Sequence, residues 1–260
     1  MNPPFSRSIF IDSANFSEIQ KWNATGVIDG VTTNQFIFLQ DKIKSKDYHK
    51  TIKKICTEMH EKPVSVELNN SSLTEKEMIR ESKELSELAE NIIIKIPLIP
   101  DTVKSLKVIQ ALGQLNIAVN ITLMMTFEQM VMAILASRTL PKTTFVSLLW
   151  GRSQEDYTKY HSRSDFMAKY PQVGTSTEIN SHPRNIIRCA HDFINEGGYD
   201  NVKIIAGSIR TAAMAGEAFA AGTNIVTITP DKLTAMLFSK RTWETIQQFD
   251  EAWKELSRRR

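Results

Sequence analysis

Cysteine is almost absent: two occur in 260 residues, Cys56 and Cys189, far apart and outside any CxxC spacing. That excludes a disulfide framework and a thiolate zinc site, and both side chains are expected to be buried, reduced thiols. Long apolar runs are also missing. None approaches the roughly 18 residues of a membrane span, and "MNPPFSRSIF" has no extended apolar core of the secretion-signal type. A reducing cytoplasm is the expected setting, with no membrane partner. Charge of one sign is scarce too. The formal net charge is +3 and the basic residues form no stripe interleaved with aromatics, so nucleic acid is not an expected partner. The terminal Arg258, Arg259 and Arg260 read as a solvated tail. Repeats, low-complexity tracts and a linker that would split the chain are lacking. No His/Asp/Cys cluster has metal-ligand spacing, and neither a metal nor a cofactor is expected.

What is present is enough apolar material, 42% of the chain, for one large core, and one domain over residues 1–260 is the simplest fit. Eight β-rich runs occur: "SIFIDSA" (8–14), "VIDGVTT" (27–33), "PVSVEL" (63–68), "NIIIKIP" (91–97), "NIAVNITL" (116–123), "TFVSLLWG" (144–151), "NVKIIAGS" (201–208) and "NIVTIT" (224–229). Between them lie amphipathic stretches such as residues 73–90, with Met78, Leu85 and Leu88 at helical spacing, and residues 102–115. Strand and helix in strict alternation predict a closed parallel (β/α)8 TIM barrel. An open doubly wound sheet fits less well, because "IDSANF" after the first strand carries no G-x-G-x-x-G. Residues 152–185 are polar, rich in turn formers and longer than an ordinary βα loop, which predicts a surface insertion after strand six. Residues 240–260 predict a C-terminal helix with Trp243, Ile246, Phe249 and Trp253 in one stripe, to be covered by its own barrel or by a neighbouring subunit.

Parallel barrels gather their chemistry at the C-terminal ends of the strands. Here those ends are polar: Asp12, Asn34, Glu67, Lys95, Asn120, Thr122, Ser147, Arg152, Ser208 and Arg210. Each has a plain structural reading as well. Asp12, Asn34 and Ser208 suit helix caps, Thr122 suits any strand, the arginines suit a surface loop, and Glu67 with Lys95 suits a structural ion pair. Those readings do not account for the joint occurrence around one lysine. In "NIIIKIP", Lys95 shares a face with Ile93 while Ile92, Ile94 and Ile96 point the other way. Burial disfavours an ammonium, and a neutral amine is a nucleophile able to form a Schiff base with a carbonyl.

Six segments resemble the transaldolase family, the Schiff-base barrels that include fructose-6-phosphate aldolase. "FIDSAN" (10–15) is similar to F-[IL]-D-[TS]-A-N, "GVIDGVTTNQ" (26–35) to G-x-[VI]-D-G-V-T-T-N-P, and "IIIKIP" (92–97) to the lysine strand. "VNITLMMTFEQ" (119–129), "SLLWGR" (147–152) and "IIAGSIR" (204–210) are similar to N-[VL]-T-L-[IL]-F-S-x-x-Q, S-P-[FY]-V-G-R and [LV]-x-A-S-[IFY]-[RK]. The resemblance implies a transferase that moves a dihydroxyacetone unit between sugar phosphates. It implies Lys95 as the imine-forming residue, Glu67 and Thr122 as holders of a proton-shuttling water, and Asp12 as acid and base at the C4 hydroxyl. It further implies Asn34, Asn120 and Ser147 on the three-carbon fragment, and Arg152, Ser208 and Arg210 on the phosphate. A homo-oligomer is expected, with the C-terminal helix as a candidate interface.

The chain departs from the pattern in three places. Gln35 and Phe36 replace the proline and small residue after the asparagine of strand two, and Leu149 stands where the family has Phe or Tyr. Leu149 has no hydroxyl, which argues against the aldolase branch, and Glu67 agrees with the transaldolases, since that branch tends to carry Gln. Trp150 and the 152–185 segment are expected near the acceptor end of the site. Two other readings remain: an aldolase or specialised transaldolase acting on a heptose or sulfonated sugar, and a non-catalytic barrel serving binding or assembly.

Overall fold

The computed structural model describes residues 5–100, 102–159 and 182–258. Eight strands, β1 (Ser8–Asp12), β2 (Gly30–Thr32), β3 (Val64–Glu67), β4 (Ile92–Pro97), β5 (Val119–Met124), β6 (Thr144–Leu149), β7 (Val202–Gly207) and β8 (Ile225–Ile228), pair in parallel and in sequence order. β8 closes onto β1 through Ser8 opposite Ile225, so the sheet is a barrel with no free edge.

Helices follow the strands on the outside: α1 (Phe16–Asn23), α2 (Gln35–Gln40), α3 (Tyr48–Met59), α4 (Glu75–Ser86), α5 (Lys104–Gln114), α6 (Phe127–Ser137), α7 (Trp150–Lys159), α8 (Pro183–Gly197), α9 (Ala212–Ala221) and α10 (Pro230–Ala235). A last helix, α11 (Lys240–Arg258), completes the chain. Their starts are fixed locally. Thr74 and Glu77 form a capping box on α4, Thr126 and Gln129 another on α6, each satisfying otherwise orphaned N–H groups.

Two apolar layers hold the fold. The outer one lies between strands and helices and includes Ile92, Ile94, Ile96, Val146, Leu148 and Ile204. The inner one closes the barrel floor with Phe5, Phe10, Phe145, Ile205 and Ile225, and Ile93 packs against it. Phe10 and Phe145 meet edge to face at 5.8 Å, and Phe5 contacts both. Such contacts add to the burial of three rings. Gly30 lies opposite Phe10 across the β1–β2 ladder, and a Cβ there would come within 2.7 Å of the Phe10 ring. Glycine is therefore required at that point for the floor to close.

Some expectations need correction. Cys56 is buried, and burial pushes its thiol up to about 12. Cys189 is exposed, because Ile186, Ile187, Ala190 and Ile194 take the inward stripe of α8. Of the expected insertion at 152–185, residues 152–159 continue α7 and residues 183–185 begin α8, while residues 160–181 lie outside the described residues. The stripe of α11 lies open to solvent instead of packing on its own barrel, with Trp243 60%, Phe249 70% and Trp253 66% exposed. Among the described residues, no helix is long and apolar enough to cross a membrane.

Candidate active site

Above the aromatic floor the barrel interior turns polar. Asp12, Thr32, Glu67, Lys95, Asn120, Thr122, Ser147 and Thr227 line a cavity of about 990 Å³. The remaining sequence-predicted residues, Asn34, Arg152, Ser208 and Arg210, line it nearer the mouth. All ten predicted residues thus face one space. Trp150 does not: it is fully buried in the outer layer, since it follows Leu148 in pointing away from the barrel axis.

Lys95 lies at the centre. Glu67 is directly opposite it across the β3–β4 ladder and Asn120 across β4–β5. Its Nζ is 3.0 Å from Glu67 Oε2 and donates to the Thr33 carbonyl at 3.3 Å. Both side chains of the pair are about nine-tenths buried, where an unpartnered charge would be expensive. Thr122 Oγ1, one position along β5 from the residue facing Lys95's own strand neighbour, is buried with no hydrogen-bond partner among the described residues. A hydroxyl so placed is free to bond a ligand atom.

Asp12 occupies the end of β1. Burial raises its carboxyl above the usual range, opposed by the charge of Lys95 and by a hydrogen bond from Thr32 Oγ1 to Asp12 Oδ1 at 2.7 Å. On the other wall Ser147 Oγ donates to Asn120 Oδ1 at 2.6 Å and Asn120 Nδ2 donates to Ser65 Oγ at 3.1 Å, which fixes the carboxamide.

The capping alternatives separate cleanly. Asn34 does cap α2, its Oδ1 accepting from Ile37 N at 2.9 Å, and it also lines the cavity. Asp12 and Ser208 cap nothing, because Asn15 and Thr211 begin α1 and α9. Ser208 (φ 57°) and Leu123 (φ 62°) are both left-handed non-glycine residues facing the cavity, and the β5–β6 register shifts between Ile121 and Met124. Strain of this kind persists where the surrounding structure imposes it.

Cations cluster on one side of the mouth. Arg152, Arg210 and Lys232 follow the consecutive strands β6, β7 and β8, while Glu18 and Asp41 line the rim beyond β1 and β2. Arg210 pairs with Glu155 at 3.4 Å and Lys232 bonds the neighbouring Asp231 carboxylate, so an incoming anion would compete with two half-exposed or exposed carboxylates. A Cβ on Gly151 would lie 2.1 Å from the Ser208 carbonyl and 2.8 Å from Arg210 Nε. Glycine is what lets α7 pack against the arginine. Sequence reasoning missed Thr32, Thr227 and Lys232. The two threonines had a signal, their inward parity with Gly30 on β2 and Ile225 on β8, whereas Lys232 sits on a short helix where parity does not apply.

A family profile described as "Transaldolase/Fructose-6-phosphate aldolase" matches residues 9–259. A "Probable transaldolase" from Bacillus cereus is 30% identical over 246 residues, covering 95% of this chain and 97% of the relative. Another, from Streptococcus equi subsp. zooepidemicus, is 32% identical over 245 residues, covering 94% and 96%. Among solved structures, the deoxyribose phosphate aldolase from Aeropyrum pernix superposes with a TM-score of 0.53 at 11% identity, over 88% of each chain, a likeness of fold.

Proposed function

The chain belongs to the transaldolase/fructose-6-phosphate aldolase family, and on that premise we propose that it transfers a dihydroxyacetone unit from a ketose phosphate to an aldose acceptor through a Lys95 Schiff base. The observation that carries this reading is the buried Lys95 amine, 3.0 Å from Glu67, inside a cavity shared with Asp12 and three cations.

In this reading the Lys95 amine adds to the C2 carbonyl, and the carbinolamine loses water to give an iminium. Glu67 and Thr122 hold the water and pass the protons. Asp12 takes the C4 hydroxyl proton while the C3–C4 bonding pair moves into the iminium, releasing the aldose and leaving an enamine on Lys95. The acceptor aldehyde reverses these steps, and hydrolysis frees the amine. Ser147 and Asn120 hold the three-carbon fragment, with Asn34 using the NH2 left over from capping α2. Arg152, Ser208 and Arg210 hold the phosphate, a task suited to guanidinium forks. Leu149 lines the cavity without a hydroxyl, which favours transfer over release of free dihydroxyacetone.

Borohydride reduction with fructose 6-phosphate, followed by peptide mapping, should leave the adduct on Lys95. Trapping elsewhere, or none with any ketose phosphate, overturns the reading. Dihydroxyacetone released without an acceptor, at a rate rivalling transfer, would instead favour the aldolase.

The partner that fits the α11 stripe is a second copy of this chain, in the cytoplasm. Trp243, Phe249 and Trp253, with Ile246 and Leu256, are all exposed. At about 150 Å² for a buried aromatic, this stripe offers roughly 600 Å², near the ~800 Å² per partner of a standard interface.

A further inference from the structure

We infer that Gln35 is a positioning residue for the Lys95–Glu67 pair, a role that rests on the catalytic reading of that pair. The β2–β3 ladder is short. It registers only Val31 with Val64 and Thr32 with Ser65, and its last bond runs from Thr33 N to Ser65 O at 2.9 Å. The strand pleat makes Glu67 O the next acceptor on that edge, and β2 has already ended. Gln35 fills the gap with its side chain. Its Nε2 donates to Leu68 O at 2.8 Å and to Glu67 O at 3.2 Å, with Asn69 Oδ1 at 3.5 Å. Asn69 is in turn held by Glu81 Oε1, through its N at 2.9 Å and its Nδ2 at 2.5 Å.

The consequence is a closed circuit around the amine. Lys95 Nζ bonds the Thr33 carbonyl and faces the Glu67 carboxylate. Thr33 leads through Asn34 to Gln35, and the Gln35 amide returns to the Glu67 main chain. Beyond the two Thr33 bonds to Ser65 O, the Gln35 amide is thus the further tie that fixes the Thr33 carbonyl relative to Glu67 and holds the loop that carries Asn34. The residue at this position in the resembling motif is proline, which has no side-chain donor, so the circuit belongs to this chain. A small displacement of a reacting group costs rate more than affinity when the substrate is held mainly elsewhere.

Gln35→Met keeps length and bulk but removes both donors, and Gln35→Glu keeps length but sets acceptors against two carbonyls. For both variants we expect kcat to fall about tenfold or more with the donor KM changed less than about threefold. The rate of borohydride-trappable adduct formation should fall in parallel. The pH at which kcat/KM reaches half its plateau should move by about half a unit or more, which loss of packing alone would not do. Circular dichroism and melting verify the fold, and if the methionine variant does not fold, the same split is required of the glutamate variant and of Gln35→Ala. An unchanged kcat and pH profile in a parent that traps on Lys95 overturns the role of Gln35 alone. Failure of the parent to trap overturns the catalytic reading beneath it.

Discussion

The hydroxyls of Thr32 and Thr227, from strands on either side of β1, meet at 2.5 Å, while Thr32 also donates to Asp12 at 2.7 Å. A hydroxyl has one proton to give, so Thr32 gives it to Asp12 and accepts from Thr227. The carboxyl is thereby tied to two neighbouring strands.

Thr32→Val removes that donor at nearly constant volume. The hydrogen bond favours the ionised carboxylate, so its loss keeps Asp12 protonated to higher pH. If Asp12 is the base, the acidic limb of kcat/KM moves upward, and the ratio of variant to parent activity rises with pH across that limb. A ratio independent of pH would remove Asp12 from the proton transfer. Thr227→Val should give the same trend, smaller.

Asp12→Asn should abolish transfer and yet stabilise the fold at neutral pH. Burial raises the Asp12 carboxyl above its unfolded value, so the native state binds the proton more tightly. Stability is then lost as pH rises from the unfolded value through the folded one, and above that window the buried charge is a net cost. Calorimetry should show a Tm above the parent's at pH 7, the gain shrinking as the pH falls toward the ordinary carboxylate range. A variant less stable than the parent at pH 7 would contradict this.

Gly151→Ala should weaken recognition of the anionic end of the substrate. The added Cβ collides with the Ser208 carbonyl at 2.1 Å and crowds Arg210 at 2.8 Å. Charge-assisted hydrogen bonds contribute ~1.5–3 kcal/mol, so KM for a phosphorylated ketose should rise about 10- to 100-fold. An unphosphorylated ketose should be affected much less. Equal changes for both substrates would assign Gly151 a purely structural part.

Trp253→Glu places a charge in the middle of the exposed α11 stripe. Light scattering should show the parent at a multiple of 29.5 kDa and the variant reduced toward that mass. A parent already monomeric at micromolar concentration would refute self-association through this helix.

The barrel and the six cavity residues on strands, Asp12, Glu67, Lys95, Asn120, Thr122 and Ser147, were legible because strand parity carries them, while Asn34, Arg152, Ser208 and Arg210 were legible from their places just beyond strand ends. In "NIIIKIP" the isoleucines at 92, 94 and 96 had to pack outward, which left Lys95 and Ile93 inside. The same parity, carried one residue beyond β6, puts Trp150 with Leu148 on the outside, and not on the cavity beside which its place in "SLLWGR" had set it. Cys189 is a parallel case on a helix, off the stripe set by Ile186, Ala190 and Ile194. Gln35 could not be read this way. Its partners are main-chain oxygens 32 and 33 residues away, and such bonds leave no local pattern.

The ring of Phe5, Phe10 and Phe145 under the cavity means that the pocket is blind. For a reaction with two sugars, arrivals and departures then share one doorway. In the proposed transfer the first aldose must be gone before the second can approach the enamine, so traffic would impose an alternating order, and each aldose would compete with the other for the same vestibule.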